Sequence, residues 1–144
     1  MRQETTIDFH IRSAWSKISR MYNEEALKYG VTMSTGFILL NIDKHGTPST
    51  KLGPKMGMES RSLTRTLKQM EEIGLIVRKN DKIDKRKSLV FLTEEGVLQR
   101  EVSKNHVLKF NGVIRANIPK EKLQVFIEVM DQLDRILDTE LIFK

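Results

Sequence analysis

The chain of 144 residues contains no cysteine. That absence excludes a disulfide framework, a thiolate zinc site and a cysteine redox switch. No apolar run approaches the length of a membrane span, and Met1-Arg2-Gln3-Glu4 does not lead into a signal-peptide core, so the cytoplasm is the expected address. There is no phosphate-cradling glycine loop, no nucleophile-elbow serine, no internal repeat and no low-complexity linker. The three histidines, His10, His45 and His106, are far apart and none has a partner at metal-ligand spacing. No catalytic residue, metal site or cofactor is therefore expected. What remains is a composition of 39% hydrophobic and 31% charged residues, that of a globular protein of one-domain size rather than a disordered chain.

The chain is organised around Met58 to Lys87. Leu63, Leu67 and Met70 recur at spacings of four and three, which places them on one face of a helix. The opposite face carries Ser60, Arg61, Thr64, Arg65 and Lys68, hydroxyls and long cations of the kind that bond phosphates and base edges. Gly74 stands where that helix should stop. Leu75-Ile76-Val77 has a strand composition, and so does Ser88-Leu89-Val90-Phe91-Leu92. Between them Arg78 to Lys87 holds six cations in ten residues. A polar helix followed by a hairpin with a basic tip reads as a winged helix-turn-helix.

Charge supports this. From Lys51 to Lys87 there are eleven Lys and Arg against five Asp and Glu, whereas the rest of the chain holds fourteen of each. The whole formal excess of +6 thus lies on the segment that would face a polyanion. The bland alternative is a solvated turn. Single-stranded RNA is a poorer fit, because the segment lacks aromatic residues on which bases stack.

Around this centre the expected elements are helical. Ile7 to Tyr29 keeps a helical period and closes at Gly30, and a second helix covers Thr32 to Ile42, where Gly36 would allow close helix packing. Thr47 to Met58 is expected to be the first helix of the helix-turn-helix, capped by Ser49 or Thr50 and turned by Gly57. Pro54 should make it short, distorted or late to begin. Glu59 takes the cap position of the recognition helix. Thr93 is a good N-cap for a helix running to about Ala116, and Pro119 suits the first turn of a last one. There Leu123, Phe126, Ile127, Met130, Leu133, Ile136, Leu137 and Leu141 approach a heptad seam, which points to subunit pairing. The alternative is packing within the same chain.

These features resemble the MarR family of bacterial transcription regulators. The resemblance is carried by Leu52 to Gly57, Ser60 to Arg65 with Leu67, Met70 and Glu71, and Gly74-Leu75-Ile76. It continues through Asp81, Asp84-Lys85-Arg86-Lys87 and Leu92-Thr93-Glu94-Glu95-Gly96, and spans nearly the whole chain. Glu59 and Pro54 depart from the pattern. The resemblance implies a mostly α fold with a small β-hairpin wing: one domain over 1–144, with a winged lobe at about 32–92 and dimerisation helices at about 5–30 and 93–144. It implies a homodimer that reads a pseudo-palindromic, double-stranded DNA operator, with recognition helices in major grooves and wing arginines in minor grooves. The expected DNA-contacting residues are Ser49, Thr50, Ser60, Arg61, Ser62, Thr64, Arg65, Lys68, Lys82, Asp84, Lys85, Arg86 and Lys87. Of these, Arg61 would face bases, Arg65 phosphate, and Arg86 a narrow minor groove. Asp84 would either hold Arg86 or only form the turn. The expected dimer contacts are Ile7, Ile11, Phe126, Met130, Leu133, Leu137 and Leu141. Family members often bind a small, commonly anionic aromatic effector between the dimer helices and the lobe, where Trp15, Tyr22, Met33 and Phe37 would lie unless they are plain core. The expected function is that of a regulator, a repressor released by such an effector, with a winged-helix protein-interaction module as the alternative.

Overall fold

The computed structural model describes residues 2–143. Six helices and three strands follow one another as α1 (Ile7–Leu27), α2 (Met33–Leu40), β1 (Thr47–Pro48), α3 (Leu52–Met56), α4 (Ser60–Glu72), β2 (Ile76–Asn80), β3 (Ser88–Leu92), α5 (Glu94–Asn117) and α6 (Lys120–Thr139). Short 3-10 turns precede α1, at Gln3–Thr5, and α3, at Ser49–Lys51. The fold is mostly α with a small antiparallel sheet, as the sequence implied. The chain divides into two compact units, the first ending at His106 and the second beginning at Val107.

Three helices of the first unit stop in the same way, and the stop explains how the core closes. Gly30, Gly57 and Gly74 take φ of 73°, 63° and 82°, values that other residues reach only at a cost. In each case the amide of the next residue turns back to the helix: Val31 N to Ala26 O at 3.2 Å, Met58 N to Gly53 O at 3.1 Å, and Leu75 N to Met70 O at 2.9 Å. That next residue is apolar every time. Val31 and Leu75 are buried in the core and Met58 packs against it. The glycine therefore ends the helix and also swings a hydrophobic plug inward.

The core itself gathers Ile38, Leu39 and Ile42 from α2 and its C-terminal edge, Leu52 from α3, Leu63, Leu67 and Met70 from α4, and Ile76 and Val90 from the sheet. Burial of each such side chain is worth about 1.5–3 kcal/mol before entropy is counted. The sheet has the order β1-β3-β2, with Val90 opposite both Thr47 and Arg78. Thr47 is buried, and its hydroxyl accepts from Asp43 N at 2.8 Å, so no polar group is stranded there. Gly36 lies within van der Waals reach of Ser103 on α5: a Cβ at this position would stand 3.0 Å from Ser103 Oγ. The close approach expected of that glycine is present.

Several expectations are corrected. Thr47 to Met58 is not one helix but a strand, a 3-10 turn and the five residues of α3. Neither Ser49 nor Thr50 caps it with a side-chain bond, since the flanking cap positions are Pro48 and Lys51. The cause is local: Pro48 holds φ at −57° and ψ at 132°, an extended conformation suited to an edge strand. Because α3 begins only at Leu52, Pro54 falls in its first turn, where its missing N–H leaves no helical bond unmade. At the other end α6 stops at Thr139, so Leu141 lies beyond the helix and does not extend the seam. Pro119 stands at the N-cap of α6, one residue before the first turn expected for it.

Candidate nucleic-acid interface

The recognition helix α4 begins without help. Glu59 is its N-cap, but no side-chain bond caps the helix; its stability comes from the buried side of Leu63, Leu67 and Met70. The same period that buries those three turns Ser60, Arg61, Thr64, Arg65 and Lys68 outward, where they line one shallow, open depression. Ser62 is offset from that row and half-buried, and its carbonyl accepts from Thr66 Oγ1 at 2.8 Å. Thr64 donates its hydroxyl proton to Ser60 O at 2.8 Å, so toward a ligand it presents lone pairs and acts as an acceptor.

Ser49 and Thr50 are brought to the same surface despite the lost capping role. With Gly53, Pro54 and Met58 they line a groove whose other side is Ser60, Leu63, Thr64, Leu67 and Arg78. Arg78 is the site residue that sequence reasoning missed; it appeared only as one cation among six. It lies on β2 and its guanidinium reaches Glu71 of α4 at 3.3 Å, tying the recognition helix to the base of the wing. The signal was available in principle, because the strand starts just after the glycine stop and carries a cation on the helix side.

In the wing, Asp84 does both jobs that the sequence left open. Its Oδ1 accepts from Arg86 N at 3.1 Å, which is a turn-forming bond, and from Arg86 Nε at 3.3 Å, which aims the guanidinium. The arginine side chain is 92% exposed, so the ion pair contributes orientation more than stability, at most about 1 kcal/mol. Lys82, Lys85 and Lys87 are exposed around it. Lys79 Nζ lies 5.5 Å from the Phe91 ring centroid, a cation–π contact that braces the hairpin.

The wing is fixed to the following helix at one residue. Thr93 Oγ1 accepts from Gly96 N at 3.0 Å as an N-cap and donates to Gly74 O, and Thr93 N donates to Leu75 O. A Cβ on Gly96 would fall on the Leu75 carbonyl oxygen. The residue type of this glycine is thus set by the helix start packing directly on the glycine stop of α4.

Of the expected effector residues, Tyr22 and Phe37 meet edge to face, with centroids 5.7 Å apart. Partial burial pushes the Tyr22 phenol up from its ordinary pKa. Met33 is half-buried and its amide donates to Asn23 Oδ1 at 2.9 Å, while Trp15 stands half exposed two turns before Tyr22. Of the expected dimer residues, Ile7, Ile11, Phe126, Leu137 and Leu141 are exposed, and Met130 and Leu133 are half-buried. His106 sits beside the Tyr29 ring and 3.9 Å from Glu25 Oε2. Among the described residues no cluster could hold a metal ion, and no helix is long and apolar enough to cross a membrane.

Residues 31–88 match the MarR family. The organic hydroperoxide resistance transcriptional regulator of Bacillus subtilis is 32% identical over 102 residues, covering 70% of this chain and 69% of that one. CouR from Rhodococcus jostii, solved bound to p-coumaroyl-CoA, superposes with a TM-score of 0.80 at 20% identity over 100% of this chain and 99% of its own. Staphylococcus aureus MepR, solved as a DNA complex, gives a TM-score of 0.79 at 15% identity over 93% and 98%. At such identities the two structures show the shared fold.

Proposed function

Because the chain belongs to the MarR family of transcriptional regulators, we propose that it binds double-stranded DNA sequence-specifically as a homodimer, and represses until a small anionic aromatic effector releases it. The observation that carries the DNA reading is the outward row of Ser60, Arg61, Thr64, Arg65 and Lys68 beside a hairpin with six cations in ten residues. Arg61 near the start of α4 reads base edges, Arg65 and Lys68 hold phosphates, and Arg86, aimed by Asp84, enters the adjacent minor groove. Ser49 and Thr50 add hydroxyls toward the backbone. A homodimer, paired through the first and last helices (Ile7, Ile11, Phe126, Met130, Leu133 and Leu137), would read a pseudo-palindrome with half-sites about one helical turn apart.

The Tyr22–Phe37 pair offers aromatic edges next to a half-buried Met33, and the similar CouR was solved with an aromatic acyl thioester. An aromatic acid fits such surroundings through its ring.

Fluorescence anisotropy tests the reading. A labelled duplex from the DNA flanking its own gene should bind at least about a thousandfold tighter than a random duplex of equal length. Added p-coumarate or p-coumaroyl-CoA should raise the midpoint. Equal binding of the two duplexes, no tighter than the micromolar range at low salt, would favour a winged-helix protein-interaction module instead.

A further inference from the structure

The wing tip consists of two consecutive triplets, Asp81-Lys82-Ile83 and Asp84-Lys85-Arg86. Each aspartate turns its carboxylate onto the amide of the third member. Asp81 Oδ1 accepts from Ile83 N at 2.9 Å, and Asp84 Oδ1 accepts from Arg86 N at 3.1 Å. Both are side-chain turns of the aspartate type, which fix the backbone two residues on. The tip is tied at its ends as well, by Asp81 N to Lys87 O and Lys87 N to Asp84 O, each at 3.0 Å. The two third members are thus held by the same device. One is the guanidinium already described. The other is Ile83, 97% exposed, the most exposed large hydrophobic residue among those described.

A single aliphatic side chain on a protein surface is ordinary. Ile83 differs in being anchored at its own amide and surrounded by Lys82, Lys85, Arg86 and Lys87, so any polyanion that the cations gather is gathered around it. We propose that Ile83 is a further DNA-contacting residue of the wing and its apolar one, packing its branched side chain against the deoxyribose walls of the minor groove beside Arg86; this rests on the DNA reading given above. The walls of that groove are sugar C–H groups, so an aliphatic side chain loses water there without leaving a polar group unsatisfied. The exocyclic amino group of guanine projects from the groove floor, so the same contact disfavours G·C pairs under the wing. Its contribution is apolar. It displaces no counterions, and so it does not change the salt dependence of binding.

The experiment titrates the full chain and its Ile83→Ser, Ile83→Leu and Arg86→Ala variants against two labelled duplexes, one from the DNA flanking its own gene and one of random sequence, at several salt concentrations. Ile83→Ser should weaken binding about fivefold per wing, the effect of burying roughly half an aliphatic side chain, with an unchanged salt slope and an unchanged thermal midpoint. Ile83→Leu should stay within about twofold of the unaltered chain, because it restores the apolar area. Arg86→Ala should lower the salt slope by about one per subunit. If Ile83→Ser binds as the unaltered chain does, shifts the salt slope, or is matched in its loss by Ile83→Leu, the apolar contact is wrong while the DNA reading stands. If the unaltered chain binds neither duplex, both fall.

Discussion

The winged lobe and the last helix carry apolar residues at the same helical spacing and dispose of them in opposite ways. In the lobe, α2, α3, α4 and the sheet enclose Ile38, Leu39, Ile42, Leu52 and Val90 completely. In α6, whose seam is the most regular stretch of the sequence, no residue is buried, and Phe126, Ile127, Ile136 and Leu137 are each about half exposed or more. Periodicity shows that a stripe must be covered, but it does not name the cover. The lobe supplies its own, through glycine stops that turn the next residue inward. In the homodimer proposed above, a second copy would supply the cover for α6.

The largest expected effects bear on that contrast directly. Ile38→Ala empties a closed core and should cost about 2–5 kcal/mol, lowering the urea midpoint at every protein concentration. Leu133→Glu combined with Leu137→Glu should instead abolish the concentration dependence of the midpoint and leave a monomer in sedimentation velocity. A monomeric unaltered chain at micromolar concentration would break the comparison. Within the lobe, Arg61→Ala should cost about 1–3 kcal/mol of operator affinity and relax preference at one base pair. Thr93→Ala removes both the cap of α5 and a bond to Gly74 O, so about 1–2 kcal/mol of stability should be lost while the dimer persists.

The smallest effect concerns pH. Burial raises the Tyr22 pKa above its ordinary value of 10.0, so the neutral phenol is the form that the fold favours. That contribution is complete below pH 10 and is lost as pH rises through the raised value. Tyr22→Phe should therefore flatten the last part of alkaline unfolding, as followed by circular dichroism.

What was legible in the sequence is what a local rule decides. The buried triplet Leu63, Leu67 and Met70, the stop at Gly74, the cap at Thr93 and the hairpin from Ile76 to Leu92 all follow from spacing or from one residue's chemistry. The first helix of the helix-turn-helix was misread because Ser49 and Thr50 look like caps, whereas Pro48 had already committed the backbone to an extended edge. Strand β1 was invisible for another reason: two residues have no period, and what defines them is a partner far along the chain. Arg78 was missed because its partner, Glu71, lies on a different element. In the wing, the two roles weighed against each other for Asp84 occur together, because the carboxylate has room for both.

The pairing of Thr47 with Val90 has a consequence for the order in which the molecule assembles. Strands β2 and β3 meet across a tip of seven residues, 81–87, and can zip as a hairpin within microseconds. Strand β1 must wait for a loop of about forty residues to close, a step whose entropy is not recovered until α3, α4 and the hairpin have filled the space between. The edge strand should therefore form late, with substitutions near Thr47 speeding unfolding and leaving the folding rate almost untouched. Those near Met70 or Val90 should slow folding itself.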